Sequence, residues 1–162
     1  MKEELDIAKF AESKGMSPIW LKRLSFTSIL VSSNLVETLM TKTLGELTSK
    51  QWLLLTIASS LPEPPSLSEV GSYMGCSRQN VKQIAKKLHE KRYVEFTKIE
   101  GDKNTIRLVA TESWKAYCIE NEALTAGILD EIFNGFEEEE LTQYFRSFNK
   151  LMENIEEING RL

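Results

Sequence analysis

Histidine and cysteine are scarce in this chain, which has one histidine, His89, and two cysteines, Cys76 and Cys118. The cysteines stand far apart with no CxxC pair and no Cys/His cluster, which excludes a disulfide framework and a zinc ribbon. One histidine leaves little catalytic vocabulary, and His89, on the back of its helix beside the apolar Leu88 with no obvious carboxylate or cysteine partner, reads as structural or exposed. No glycine-rich phosphate loop exists either, since Gly71 and Gly75 flank a helix turn. The acidic run Glu137 to Glu140 does not make a metal site, because four consecutive helical residues point in different directions. No enzymatic activity, cofactor or metal is expected.

Long hydrophobic runs are absent too. Stretches such as Trp52-Leu53-Leu54-Leu55 fall far short of the ~18 residues of a membrane span. Met1 to Asp6 carries charges of both signs and lacks the apolar core of a signal peptide. A cytoplasmic protein is expected, of 162 residues and 41% hydrophobic, enough for a core without staples.

The net charge of −4 conceals an asymmetry. Residues 1–65 hold 7 basic and 7 acidic side chains, residues 66–119 hold 10 and 6, and residues 120–162 hold 3 and 11. Between Ser77 and Arg92, six cations (Arg78, Lys82, Lys86, Lys87, Lys91, Arg92) face the single acid Glu90. Such a patch is an electrostatic footprint for a polyanion, or a solvated helix face.

The pattern of elements decides how that patch is carried. Ser17-Pro18 opens a helix of roughly 25 residues through Trp20, Leu24, Val31, Leu35 and Leu39, fading near Gly45. Thr48 to Gln51 has capping-box spacing and starts a shorter helix, closed off by Pro62-Glu63-Pro64-Pro65. A second capping box, Ser66 to Glu69, opens a helix that ends at Gly75. Ser77 then caps another, with Val81, Ile84, Ala85 and Leu88 on one apolar face and Arg78, Gln79, Lys82, Gln83 and Lys86 opposite. Two helices around a tight glycine-bearing turn form a helix-turn-helix.

Two β-rich runs, from Tyr93 to Ile99 and from Thr105 to Val109, surround a turn at Glu100 to Asn104 and read as a hairpin, hence a wing. Thr111 caps a third long helix carrying Trp114, Tyr117, Leu124, Ile128 and Ile132, ending at Asn134-Gly135. The last helix begins at the acids Glu137 to Glu140, which suit the positive end of its dipole, and continues with Leu141, Phe145, Phe148, Met152 and Ile155. The fold class is mainly α with a small β-hairpin wing.

This order resembles the MarR (multiple antibiotic resistance regulator) family of bacterial transcription factors. The resemblance is carried by Leu47-Thr48-Ser49-Lys50-Gln51-Trp52, by Leu67-Ser68-Glu69-Val70, by Cys76-Ser77-Arg78-Gln79-Asn80-Val81 running to Leu88-His89-Glu90-Lys91, by Asp102, and by Ala110-Thr111-Glu112. It covers residues 17–158. It implies a single domain across residues 1–162, with a winged helix-turn-helix lobe at 47–111 and N- and C-terminal dimerisation helices at 17–45 and 112–158. It further implies a homodimer on double-stranded DNA, a palindromic operator, and regulation, as a repressor, by a small aromatic effector.

The resemblance and the outer face of the helix place DNA contacts at Ser77, Arg78, Gln79, Asn80, Lys82, Gln83, Lys86, Lys103 and Asn104, with Gln79 and Asn80 nearest the base edges. Trp20, Phe26, Trp52 and Trp114 are candidates for lining an effector pocket, the plainer reading being core aromatics. The chain departs from the family pattern at four points. Lys103 and Asn104 follow Asp102 where arginines are usual, Phe96 occupies a strand position often held by arginine, and Arg92 stands where glycine is usual. A wing without arginine is expected to attract phosphate more than to read sequence. The branch of the family that senses hydroperoxides uses a cysteine near the N-terminus, which this chain lacks, so a redox role would fall to Cys76; structural roles for both cysteines are preferred. A rival function is a winged-helix interaction module that has lost operator binding, in keeping with the acidic C-terminal segment.

Overall fold

The computed structural model describes residues 7–13, 15, 17–99 and 102–161, with the side chains of residues 7, 8, 11, 99 and 102–104 outside the description. In chain order the elements are α1 (Ile7–Ser13), α2 (Pro18–Thr43), α3 (Ser49–Ser60), α4 (Leu67–Met74), α5 (Arg78–Glu90), β1 (Val94–Ile99), β2 (Asp102–Ala110), α6 (Glu112–Glu120), α7 (Glu122–Ile132) and α8 (Glu138–Asn159). They divide into two compact units, the first ending at Lys115 and the second beginning at Ala116. No helix among the described residues is long and apolar enough to cross a membrane.

In the first unit the sequence punctuation becomes hydrogen bonds. Gln51 N–H donates to Thr48 Oγ1 at 3.3 Å while Thr48 N–H donates to Gln51 Oε1 at 3.1 Å, so the buried Gln51 amide oxygen is satisfied by the box that starts α3. The same reciprocal pair joins Ser66 and Glu69 at the start of α4. Gly75 ends that helix in the left-handed region at φ 62°, and its successor Cys76 returns an N–H to the carbonyl of Gly71 at 2.9 Å. α5 ends on a Schellman motif, with Arg92 N–H on the His89 carbonyl and Tyr93 N–H on the Leu88 carbonyl, both at 2.9 Å. The residue in the left-handed position there is Arg92, at φ 62°.

The core of this unit lies where α3, α4, α5 and the hairpin meet. Leu54, Leu55, Leu67, Val70, Val81, Leu88, Val94 and Leu108 are all less than 2% exposed. Each such side chain contributes about 1.5–3 kcal/mol of transfer free energy, before ordering costs. Trp114 closes the core at 4% exposure, edge-on to Tyr93, with its Nε1–H donating to Ser59 Oγ at 3.4 Å. By contrast, none of the 26 residues of α2 is buried.

The hairpin corrects the expected turn. β1 and β2 are antiparallel, pairing Val94 with Ala110 and Phe96 with Leu108. The ladder becomes irregular after Thr97–Arg107 and resumes at Ile99–Asp102, so β2 already includes Lys103 and Asn104, which the sequence had suggested lay in the turn. Their side chains lie outside the description.

The second unit corrects the third long helix. It is two helices, because Asn121 leaves the helical conformation at φ −105° and ψ 7°, where its Nδ2 adds a 2.9 Å bond to the Tyr117 carbonyl that already accepts the Asn121 N–H at 3.1 Å. After α7, Gly135 turns the chain at φ 86°. Glu137, with Glu140, then caps α8. Phe133, Phe136, Tyr144 and Phe148 form a chain of ring contacts with centroids 5.8–6.4 Å apart that ties this turn to α8.

Candidate nucleic-acid interface

Helix α5 is held by one face and open on the other. Its buried residues are Val81, Ala85 and Leu88, with Ile84 half-buried beside them. Ser77 Oγ accepts the Asn80 N–H at 3.2 Å and so fixes where the helix begins. Ser77, Arg78, Gln79, Lys82, Gln83 and Lys86 are exposed, whereas Asn80 is half-buried at the edge of the packed face. The structure thus brings seven of the nine sequence-assigned residues onto one helix and its cap, and places Lys103 and Asn104 on β2.

The positive patch is not uniformly free for a ligand. Lys91 Nζ donates to the carbonyl of Glu46, and Tyr93 Oη donates to the Glu46 carboxylate at 3.2 Å, so the end of α5 is fastened to the loop before α3. The exposed cations that remain on α5 are Arg78, Lys82, Lys86 and Lys87. Lys87 lies on the flank of Asn80, opposite Lys82, and any helical wheel of the segment would have added it to the contact set. His89 is engaged with the hairpin through Nδ1, 3.0 Å from the Val94 carbonyl, and through ring contact with Phe96 at 5.4 Å.

Arg107 faces inward. Its Nη1 donates to the Pro64 carbonyl at 2.9 Å and stands 3.7 Å from Glu69 Oε2, while the next residue, Leu108, donates its N–H to the Pro65 carbonyl at 2.9 Å. The proline loop is thereby stitched to the wing, and the Arg107 side chain is engaged by that loop and by α4. Lys98 on β1 is exposed.

The aromatic candidates divide between settings. Trp114 belongs to the core, Trp20 packs edge-on to Phe10 with the Arg23 guanidinium 5.1 Å from its ring, Trp52 is half-buried, and Phe26 is 62% exposed. A shallow hollow between the end of α5 and Thr111–Ser113 takes in none of the four.

No sequence model of a protein family matches the chain. Solved structures do share its fold. A MarR/EmrR family transcriptional regulator from Acinetobacter sp. ADP1 is 23% identical, covering 85% of this chain and 98% of that one with a TM-score of 0.72. The transcriptional regulator BldR from Sulfolobus solfataricus is 16% identical, covering 85% and 99% with a TM-score of 0.75. The organohalide-sensing RdhR-CbdbA1625 transcriptional regulator in its 2,4-dichlorophenol-bound form is 15% identical, covering 83% and 80% with a TM-score of 0.70. At these identities the likeness is one of fold, and the chain has the winged helix-turn-helix fold of MarR-family transcriptional regulators.

Proposed function

We propose that this chain is a MarR-family regulator of transcription that binds a palindromic operator in double-stranded DNA as a homodimer. The observation that carries the reading is the outer face of α5, where Arg78, Gln79, Lys82, Gln83 and Lys86 are all exposed on a helix whose opposite face is locked into the core. Cations on such a face release counterions from phosphates, and amides beside them reach base edges. In this reading the lobe at 47–111 binds DNA, and the helices at 17–45 and 112–158 pair two copies. Unpartnered apolar stripes support that pairing, through Ile19, Phe26 and Leu30 on α2 and Phe145 and Met152 on α8. Action as a repressor released by a small aromatic compound is the finer form of the proposal. Its support is the dichlorophenol-bound regulator of like fold, with Trp20, Phe26 and Trp52 as the aromatics left outside the core.

The test is selection of bound fragments from genomic DNA, followed by mobility shifts on the enriched site across a range of salt. A recurrent palindrome and an affinity that falls steeply with salt are expected. Absence of any enriched sequence, with no salt-dependent retention on duplex DNA, would overturn the reading in favour of an interaction module.

A further inference from the structure

From the layout of α5 we infer that each operator half-site is recognised through two adenines, read by the side-chain amides of Gln79 and Gln83. This rests on the DNA-binding reading above and specifies its ligand. At about 100° per residue, with the buried Val81, Ala85 and Leu88 marking the inward direction, Gln79 and Gln83 both fall within roughly 30° of the direction pointing straight away from the core. Both are exposed. The cations sit to either side, with Lys86, about 20° from Gln79, then Lys82 and further round Arg78 on one flank, and Lys87 on the other. A helix lying in a groove meets bases along its centre line and phosphates along its flanks, so this helix offers neutral amides to bases and charge to the two backbones.

The chemistry of the centre line selects the base. A carboxamide donates from nitrogen and accepts at oxygen, which matches the N7 acceptor and N6 amino donor of adenine in the major groove; guanine presents two acceptors and calls for arginine or lysine. Asn80 has the same amide but is half-buried on the flank, with its backbone engaged by Ser77. Gln83 therefore replaces it as the second reader. Glu90 continues the same stripe at the other end of the helix, where an acid would be repelled by DNA. That directs the N-terminal half, with its unpaired N–H groups, into the groove. Four residues of helix rise cover about 6 Å, so the two adenines stand roughly two base pairs apart.

Duplexes recovered by this chain from a random-sequence pool test the proposal. They are expected to carry two adenines at that spacing in each half-site. Replacing either with 7-deazaadenine, which removes the N7 acceptor and leaves base pairing intact, is expected to weaken binding roughly 5- to 150-fold. In Gln83→Ala the same replacement is expected to have no further effect at one adenine and its full effect at the other, with Gln79→Ala giving the converse. Both variants are on the exposed face, and an unchanged thermal transition confirms their folding. Enriched half-sites anchored on guanine, or variants that leave both adenines sensitive, overturn the glutamine–adenine assignment while operator binding stands. Failure to enrich any duplex overturns both.

Discussion

Arg107 holds the wing by donating from Nη1 to the carbonyl of Pro64, 2.9 Å away and 43 residues earlier in the chain. The side chain is only 21% exposed, and its Nε is buried without an acceptor among the described residues. Arg107→Met keeps the aliphatic packing, loses the charged hydrogen bond and also relieves the unpaired Nε. A net loss of about 1–2 kcal/mol is expected in urea unfolding. Because the guanidinium is held by Pro64 and Glu69, the salt dependence of DNA binding is expected to keep its slope.

Gly71 sets the closeness of the helix-turn-helix. A Cβ built there would stand 2.7 Å from the carbonyl oxygen of Cys76, a backbone atom fixed by the turn. Gly71→Ala must push α4 from the turn that starts α5, at about 1–3 kcal/mol. Thermal unfolding is expected to show a lowered midpoint. The exposed neighbour Ser72, changed to alanine, serves as the control and moves it little.

Arg92 occupies a left-handed conformation that costs a side-chain-bearing residue roughly 1–2 kcal/mol relative to the right-handed form. Its backbone is nevertheless well used, since its carbonyl accepts the Thr111 hydroxyl at 2.6 Å. Arg92→Gly keeps that bond and removes the Cβ penalty, less the added freedom of the unfolded chain. A gain of about 0.5–1 kcal/mol in denaturant unfolding is expected.

Legibility followed the range of the interactions involved. Thr48 with Gln51 and Ser66 with Glu69 bond across three residues, so their boxes could be read from spacing alone, as could the entry of α2 at Ser17-Pro18. The outer face of α5 was legible for the same reason, since one helical period fixes which side chains oppose Val81, Ala85 and Leu88. Arg107 was not legible. Its direction depends on pairing with Thr97 across an irregular ladder and on a carbonyl in a distant loop. The break at Asn121 was hidden because the apolar spacing continues through it, and only the backbone of that one residue leaves the helical conformation. The half-burial of Asn80 likewise depends on what packs beside α5, and a wheel alone does not supply that.

The carboxylate of Glu69 ties stability to acid. It accepts the Ser66 backbone N–H at 2.6 Å, and that bond, then the Ser66 hydroxyl and more weakly Arg107, hold its pKa below the ordinary glutamate value. A carboxyl whose pKa is depressed on folding contributes stability above its unfolded pKa of about 4.3 and loses it as pH falls through the folded value. Glu69→Gln retains an acceptor for the box but no charge. Wild type is therefore expected to be the more stable at neutral pH, with the two unfolding midpoints converging below about pH 4.

The proposed dimer makes α2 the most informative place to cut. Ile19, Phe26 and Leu30 recur at i, i+7 and i+11 and are 55%, 62% and 56% exposed, so one stripe of the helix presents contiguous apolar surface. From Leu24 to Val36 α2 carries no charge at all, only serine, threonine and asparagine among its apolar residues, so nothing charged in that stretch opposes the approach of a second copy. Leu30→Glu places a carboxylate on that stripe, near the middle of α2, and Leu30→Ala removes packing without charge. Sedimentation is expected to show a dimer for the wild type, a weakened dimer for Leu30→Ala and a monomer for Leu30→Glu. A monomer holds one half-site at a time and loses the effective concentration that the second reading head enjoys, so operator affinity is expected to fall roughly 100-fold or more. Binding to a single half-site is expected to be unchanged, because α5 is untouched. A Leu30→Glu protein that remains dimeric would move the interface off this stripe and onto α8, where Phe145→Glu would then be the variant that dissociates it.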